Sequence, residues 1–227
     1  MNIPGDPQRD APARVRVKVC GITSVDQALA CAELGVDWIG LNFHPASPRK
    51  VDPRTAAEIV TSLPDSCTAV GLFVDRPPGE VLATANEVGL KTLQLHGTEP
   101  PEDLAALGFF SIVRAFRLGE MAAISAMTEY LDRALALGHP PYAALIDGYS
   151  VGQAGGTGKT IATDLLDHLP PLPRLILAGG LTPENVAGRI ARVRPWMVDV
   201  ASGVESSPGR KDLGLVRAFV RAAQGVP

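Results

Sequence analysis

The sequence predicts a single-domain (β/α)8 barrel, a TIM-type α/β fold. Three observations carry that prediction. Short β-branched runs alternate with helix-period segments eight times after residue 14. The eight units fit into roughly 210 residues, near the lower end of the size range of this fold. No run reads as a polar edge strand, which an open doubly wound sheet would need and a closed barrel does not.

The elements follow in order. Residues 15–19 alternate Val with Arg and Lys and end in Cys20-Gly21. Ser24 can cap the next helix, in which Val25, Ala28, Leu29 and Ala32 share one face, and Gly35 ends it. Residues 36–43 form an apolar run with few charges, as a strand covered on both faces should. Helical patterns at 53–62, 79–88, 102–107 and 121–137 alternate with strand-like runs at 69–74, 90–95, 110–115 and 143–146. The run at 143–146 leads into Asp147-Gly148 and a Gly-rich loop. Residues 161–169 then read as a helix and 175–178 as a strand. Residues 183–193 read as a helix capped by Thr182 with Pro183 in its first turn. Residues 197–201 form the last strand and 213–223 the closing helix. The polar, Pro-rich segment 1–14 is expected to be a poorly ordered tail, leaving 15–227 as the barrel.

The bulk numbers narrow the function classes. With 46% hydrophobic and 20% charged residues, the 227-residue chain has an ordinary globular composition and enough length to bury a core unaided. A net charge of −3 and no basic run with interleaved aromatics point away from nucleic acid. The longest apolar stretches are too short to span a bilayer, and the N-terminus lacks the apolar core of a signal peptide. Cys20, Cys31 and Cys67 are an odd set without CxxC, which suits a reducing, cytoplasmic setting better than a disulfide framework. His44, His96, His139 and His168 lack zinc-type spacing, so no metal is expected. Either a monomer or a homodimer is compatible with the sequence.

Folds of this kind keep their chemistry at the C-terminal ends of the strands. Cys20 and Asp147 stand at two such ends, so one sheet can bring a thiol and a carboxylate to one mouth. Taken singly, a cysteine after a strand is usually a small buried hydrophobe, and an Asp before Gly is usually a turn former. Cys31 and Cys67 receive that ordinary reading. Three late Gly clusters follow strands: Gly155-Gly156 with Gly158, Gly179-Gly180, and Ser202-Gly203. Bare backbone N–H groups at such turns suit a phosphate. A P-loop fails on register, because it needs glycine five positions before Gly158 and Gln153 is there. Arg49 lies in a loop as a fork-shaped donor that suits a carboxylate. His96 can line the pocket or be structural. Asp199, inside the last strand, needs a polar partner there or a place at the mouth. Lys159 can support the phosphate loop or be solvated.

The segments VKVCGIT, GLNFHPASPRKV, LQLHG, LIDG, GGTGKT, LAGGLTPENV and VDVASGVESSPGRKD occur in this order. Together they resemble phosphoribosylanthranilate isomerase. The resemblance implies a (β/α)8 barrel that catalyses an Amadori rearrangement in tryptophan biosynthesis without metal or organic cofactor. The implied substrate is N-(5-phosphoribosyl)anthranilate, and the product is 1-(o-carboxyphenylamino)-1-deoxyribulose 5-phosphate. By the same resemblance Cys20 is the general base, Asp147 the general acid, and Arg49 sits near the anthranilate carboxylate. The late Gly and Ser turns match the phosphate cradle. Another sugar-phosphate barrel, or a catalytically silent phosphate-binding one, remains the alternative at this level.

Overall fold

The computed structural model describes residues 14–148, 163–170, 172 and 174–226. Eight parallel strands hydrogen-bond in sequence order and close on themselves. They are β1 (Arg16–Cys20), β2 (Trp38–Asn42), β3 (Thr68–Phe73), β4 (Thr92–Leu95), β5 (Ser111–Leu118), β6 (Ala143–Gly148), β7 (Leu175–Leu177) and β8 (Met197–Val200). The closing pair sets Lys18 opposite Asp199.

Strand alternation sorts side chains onto two surfaces. Val17, Val19, Ile39, Leu41, Leu93 and Val198 face outward into the core shared with the helices. Trp38, Val70, Val113, Leu145, Ile176 and Met197 face inward and fill the barrel. Both faces are dry, which is why the strands read as nearly continuous apolar runs.

At the N-terminal ends of the strands the barrel is plugged by rings. Trp38 meets Trp196 edge-on at 5.5 Å between centroids, and Tyr142 lies 6.5 Å from Trp38. The guanidinium groups of Arg16 and Arg174 cover Trp196 and Tyr142 at 4.6 and 4.4 Å. A cavity opens at the other end.

The helices form for local reasons. Ser24 caps α1 (Val25–Glu33) by accepting from the Gln27 N–H, and Gly35 follows it with φ +88. Asp52 caps α2 (Pro53–Ser62) by accepting from the Thr55 N–H, and Gly89 ends α3 (Pro78–Val88). α4 (Met121–Ala136), α5 (Thr163–Leu166), α6 (Val186–Val193) and α7 (Leu213–Gln224) complete the wheel. The expected short helix at 102–107 is a 3-10 helix, Pro101–Leu107, entered from consecutive prolines.

Two local expectations are corrected. α6 starts at Val186, not at 183. Thr182 does not cap it; the Asn185 side chain instead turns back to bond the Thr182 N–H and the Gly180 carbonyl. A small hairpin, β9 (Glu205–Ser207) and β10 (Arg210–Lys211), follows β8 and was not anticipated. Its turn uses Gly209 at φ +81.

Candidate active site

The C-terminal strand ends enclose a cavity of about 250 Å³. Cys20, Arg49, His96, Asp147, Gly179, Gly180, Asp199, Ser202 and Gly203 all line it. The sequence-predicted residues thus converge on one mouth. Gly155, Gly156 and Lys159 lie outside the described residues.

On one wall, Cys20 ends β1. Its neighbour across the sheet is Gly40, and a Cβ added there would come within 2.6 Å of Cys20 Sγ and 3.1 Å of Lys18 Nζ. Glycine at that inward position therefore makes the space both groups occupy. Lys18 and Asp199 are fully paired in the barrel floor, with Nζ 3.0 Å from each carboxylate oxygen. Burial opposes the ammonium, but Asp199 and the Cys20 sulfur outweigh it and hold Lys18 above the ordinary lysine range. Burial pushes the Cys20 thiol up, while Lys18 and, farther off, Lys211 pull it back.

On the facing wall, Asp147 sits near the end of β6 and His96 directly follows β4. His96 Nε2 lies 3.3 Å from Asp147 Oδ2, and Gln94 Nε2 lies 2.8 Å from His96 Nδ1. Gln94 and Asp147 thus sit on the two ring nitrogens of His96 and fix the plane of the ring. The segment after His96 is tightly held. Glu99 accepts from the Asp75 and Gly97 N–H groups, and Asp75 Oδ1 accepts from the Thr98 N–H and hydroxyl. Arg114, 3.5 Å from Glu99, donates to the Leu95 and Gly97 carbonyls on either side of His96.

Arg49 reaches the mouth through a folded loop. Ser47 Oγ accepts from the Asn42 amide and from the Arg49 N–H. The arginine stem lies across Gly21, where a Cβ would stand 2.6 Å from Arg49 Cδ. The guanidinium is already in a fork with Glu205, Nε to Oε1 at 2.9 Å and Nη2 to Oε2 at 2.8 Å. Lys211 Nζ donates to the same Glu205 at 2.7 Å and to the Ala201 carbonyl at 3.0 Å. Burial works against the Glu205 carboxylate, but its two cations hold it below the usual range. The hydrogen bond from Arg49 to Glu205 correspondingly raises the arginine.

The rim after β7 and β8 is built from glycine and small residues. Gly179 and Gly180 take φ +88 and +61. A Cβ at Gly179 would collide with the Gly148 nitrogen and crowd Asp147 Oδ1 at 2.9 Å. One at Gly203 would strike the Leu181 carbonyl.

Residues 17–222 match the family model described as N-(5'phosphoribosyl)anthranilate (PRA) isomerase. The chain belongs to that family. An N-(5'-phosphoribosyl)anthranilate isomerase of Geobacter sulfurreducens is 44% identical over 211 residues, covering 93% of this chain and 99% of the relative. The crystal structure of phosphoribosyl anthranilate isomerase from Thermotoga maritima superposes with a TM-score of 0.82 at 35% identity, covering 93% and 99% of the two chains. A further structure of the family, in complex with reduced 1-(o-carboxyphenylamino)-1-deoxyribulose 5-phosphate, gives a TM-score of 0.78 at 33% identity, covering 93% and 99%.

The sequence reading missed Lys18, Gln94, Glu205 and Lys211. Lys18 carries a usable signal: it shares strand parity with Cys20, two residues on, so both side chains enter the barrel.

Proposed function

We propose that the enzyme isomerises N-(5-phosphoribosyl)anthranilate to 1-(o-carboxyphenylamino)-1-deoxyribulose 5-phosphate by an acid–base Amadori rearrangement. The observation that carries this reading is the meeting of Cys20 and Asp147 at one cavity from strands three apart around the ring. Asp147 protonates the ribose ring oxygen, the furanose opens, and a Schiff base forms. The Cys20 thiolate then takes the C2′ proton, and the resulting enolamine tautomerises to the ketone. His96 braces the acid. The anthranilate carboxylate is met by the N–H groups of Arg49 that Glu205 does not use. The turns at Gly179-Gly180 and Ser202-Gly203 offer backbone N–H groups to the phosphate. Asp199 lines the cavity beside the base while both its oxygens accept from Lys18.

The test mixes purified protein with freshly made phosphoribosylanthranilate and follows its fluorescence. Decay should outpace the uncatalysed background and should survive a chelator. Cys20→Ala and Asp147→Asn should each lose roughly 10²–10⁴ in turnover, the usual range for a general acid or base, while staying folded. Wild-type-like turnover in either variant overturns the assignment.

A further inference from the structure

We propose that Lys18 is a positioning residue for the base: its buried ammonium supplies the positive charge against which the Cys20 thiolate forms, and Asp199 holds it there. This rests on Cys20 being the base. Lys18 itself lies below the cavity, 1% exposed and absent from its lining, so it meets no substrate.

The geometry leaves little else for this lysine to do. An ammonium has three donors. Two go to the Asp199 oxygens at 3.0 Å. The third is left on the side of Cys20, whose sulfur borders the same space: a Cβ at Gly40 would stand 2.6 Å from Sγ and 3.1 Å from Lys18 Nζ. Lys18 and Cys20 are two apart on β1, and both use the space that Gly40 leaves bare. Arg49 from the loop after β2 and Lys211 from β10 are the other cations that sense this sulfur, and Asp199 is the anion that opposes it. Of these, Lys18 exerts the largest pull toward the thiolate. Stability does not account for the pair. A buried Lys–Asp pair rarely outperforms apolar residues of the same volume, since desolvation cancels most of the attraction. A dry thiol, in contrast, cannot ionise without a cation beside it.

The experiment measures the Cys20 thiol pKa in the full chain from the pH dependence of iodoacetamide alkylation, with the modified residue located by mass spectrometry. Cys31 and Cys67, buried and pushed up to about 11 and about 12, give little background. In Lys18→Met the thiol pKa should rise by roughly one unit or more, so alkylation at pH 8 slows about tenfold. Turnover should fall with it while KM changes less, and Lys18→Arg should recover part of both. If Lys18→Met fails to fold because Asp199 is orphaned, the double variant K18M/D199N removes both charges and should still show a raised thiol. A thiol pKa within roughly 0.3 unit of wild type in whichever variant folds overturns the proposal. If instead Cys20→Ala keeps full turnover, the base assignment fails, while the effect of Lys18 on the thiol stands or falls by its own measurement.

Discussion

Replacing Gly21 by alanine tests how the mouth holds Arg49. Gly21 has φ +83, and an L residue there costs about 1–2 kcal/mol. The new Cβ would also stand 2.6 Å from Arg49 Cδ, 3.1 Å from its Cβ and 3.2 Å from its Cγ. The stem must therefore retreat by several tenths of an ångström. It cannot do so freely, because its guanidinium is tied to Glu205 by bonds of 2.9 and 2.8 Å. Breaking one such charge-assisted bond costs about 1.5–3 kcal/mol. The stability loss should total about 2.5–5 kcal/mol, readable by urea unfolding. If Arg49 meets the substrate carboxylate, KM should rise about tenfold, equivalent to about 1.4 kcal/mol, with a smaller change in turnover. Gly35→Ala serves as the control. It carries similar φ strain at +88, but its Cβ would touch only Val220 at 3.8 Å and Gln224 at 4.0 Å. A Gly21→Ala enzyme with unchanged KM, or a Gly35→Ala enzyme with the same KM rise, would refute the reasoning.

Two further outcomes are expected. Glu99→Gln removes the counter-ion of Arg114 and weakens its bonds to the Asp75 and Gly97 N–H groups, so thermal unfolding should show a loss of about 3–5 kcal/mol. Turnover should drop with it, because the segment that seats His96 loosens; a variant as active as wild type would remove this loop from the account. Alkaline stability should be limited by Cys67 and Cys31, whose folded-state thiols are pushed up by burial to about 12 and about 11. Below the unfolded-state pKa of about 8.5 both states keep the proton and nothing changes. Above it the unfolded chain ionises first, so stability falls as pH rises toward the folded values. The midpoint temperature should decline from about pH 9 upward, and Cys67→Ala should flatten that decline.

The eight-unit rhythm was legible because each strand carries a periodic apolar signal and each helix has a local start or stop. α2 occupies Pro53–Ser62, the residues its pattern marks, since Asp52 and Pro53 punctuate its start. Cys20, Asp147 and His96 were legible as chemistry-bearing types at strand exits, Asp199 as an acid inside the last strand, and Arg49 as a fork-shaped donor in a loop. What escaped notice depends on closure. Lys18 in a Val-Lys-Val run reads as the wet face of a half-buried strand, but a closed barrel has no wet face. Glu205 and Lys211 belong to a hairpin of three and two residues, too short for any period to register. The Thr182 expectation failed because the chain becomes helical only after Asn185, whose side chain is taken up by the Thr182 N–H and the Gly180 carbonyl.

The ring plug at the closed end has a practical consequence. The chain has two tryptophans, and both sit in that plug, on the far side of the barrel from the mouth. Their ultraviolet emission, read without substrate, thus reports whether the β-cylinder is intact. Anthranilate-type light can be followed separately as turnover, so a single cuvette can tell a dead enzyme from a melted one.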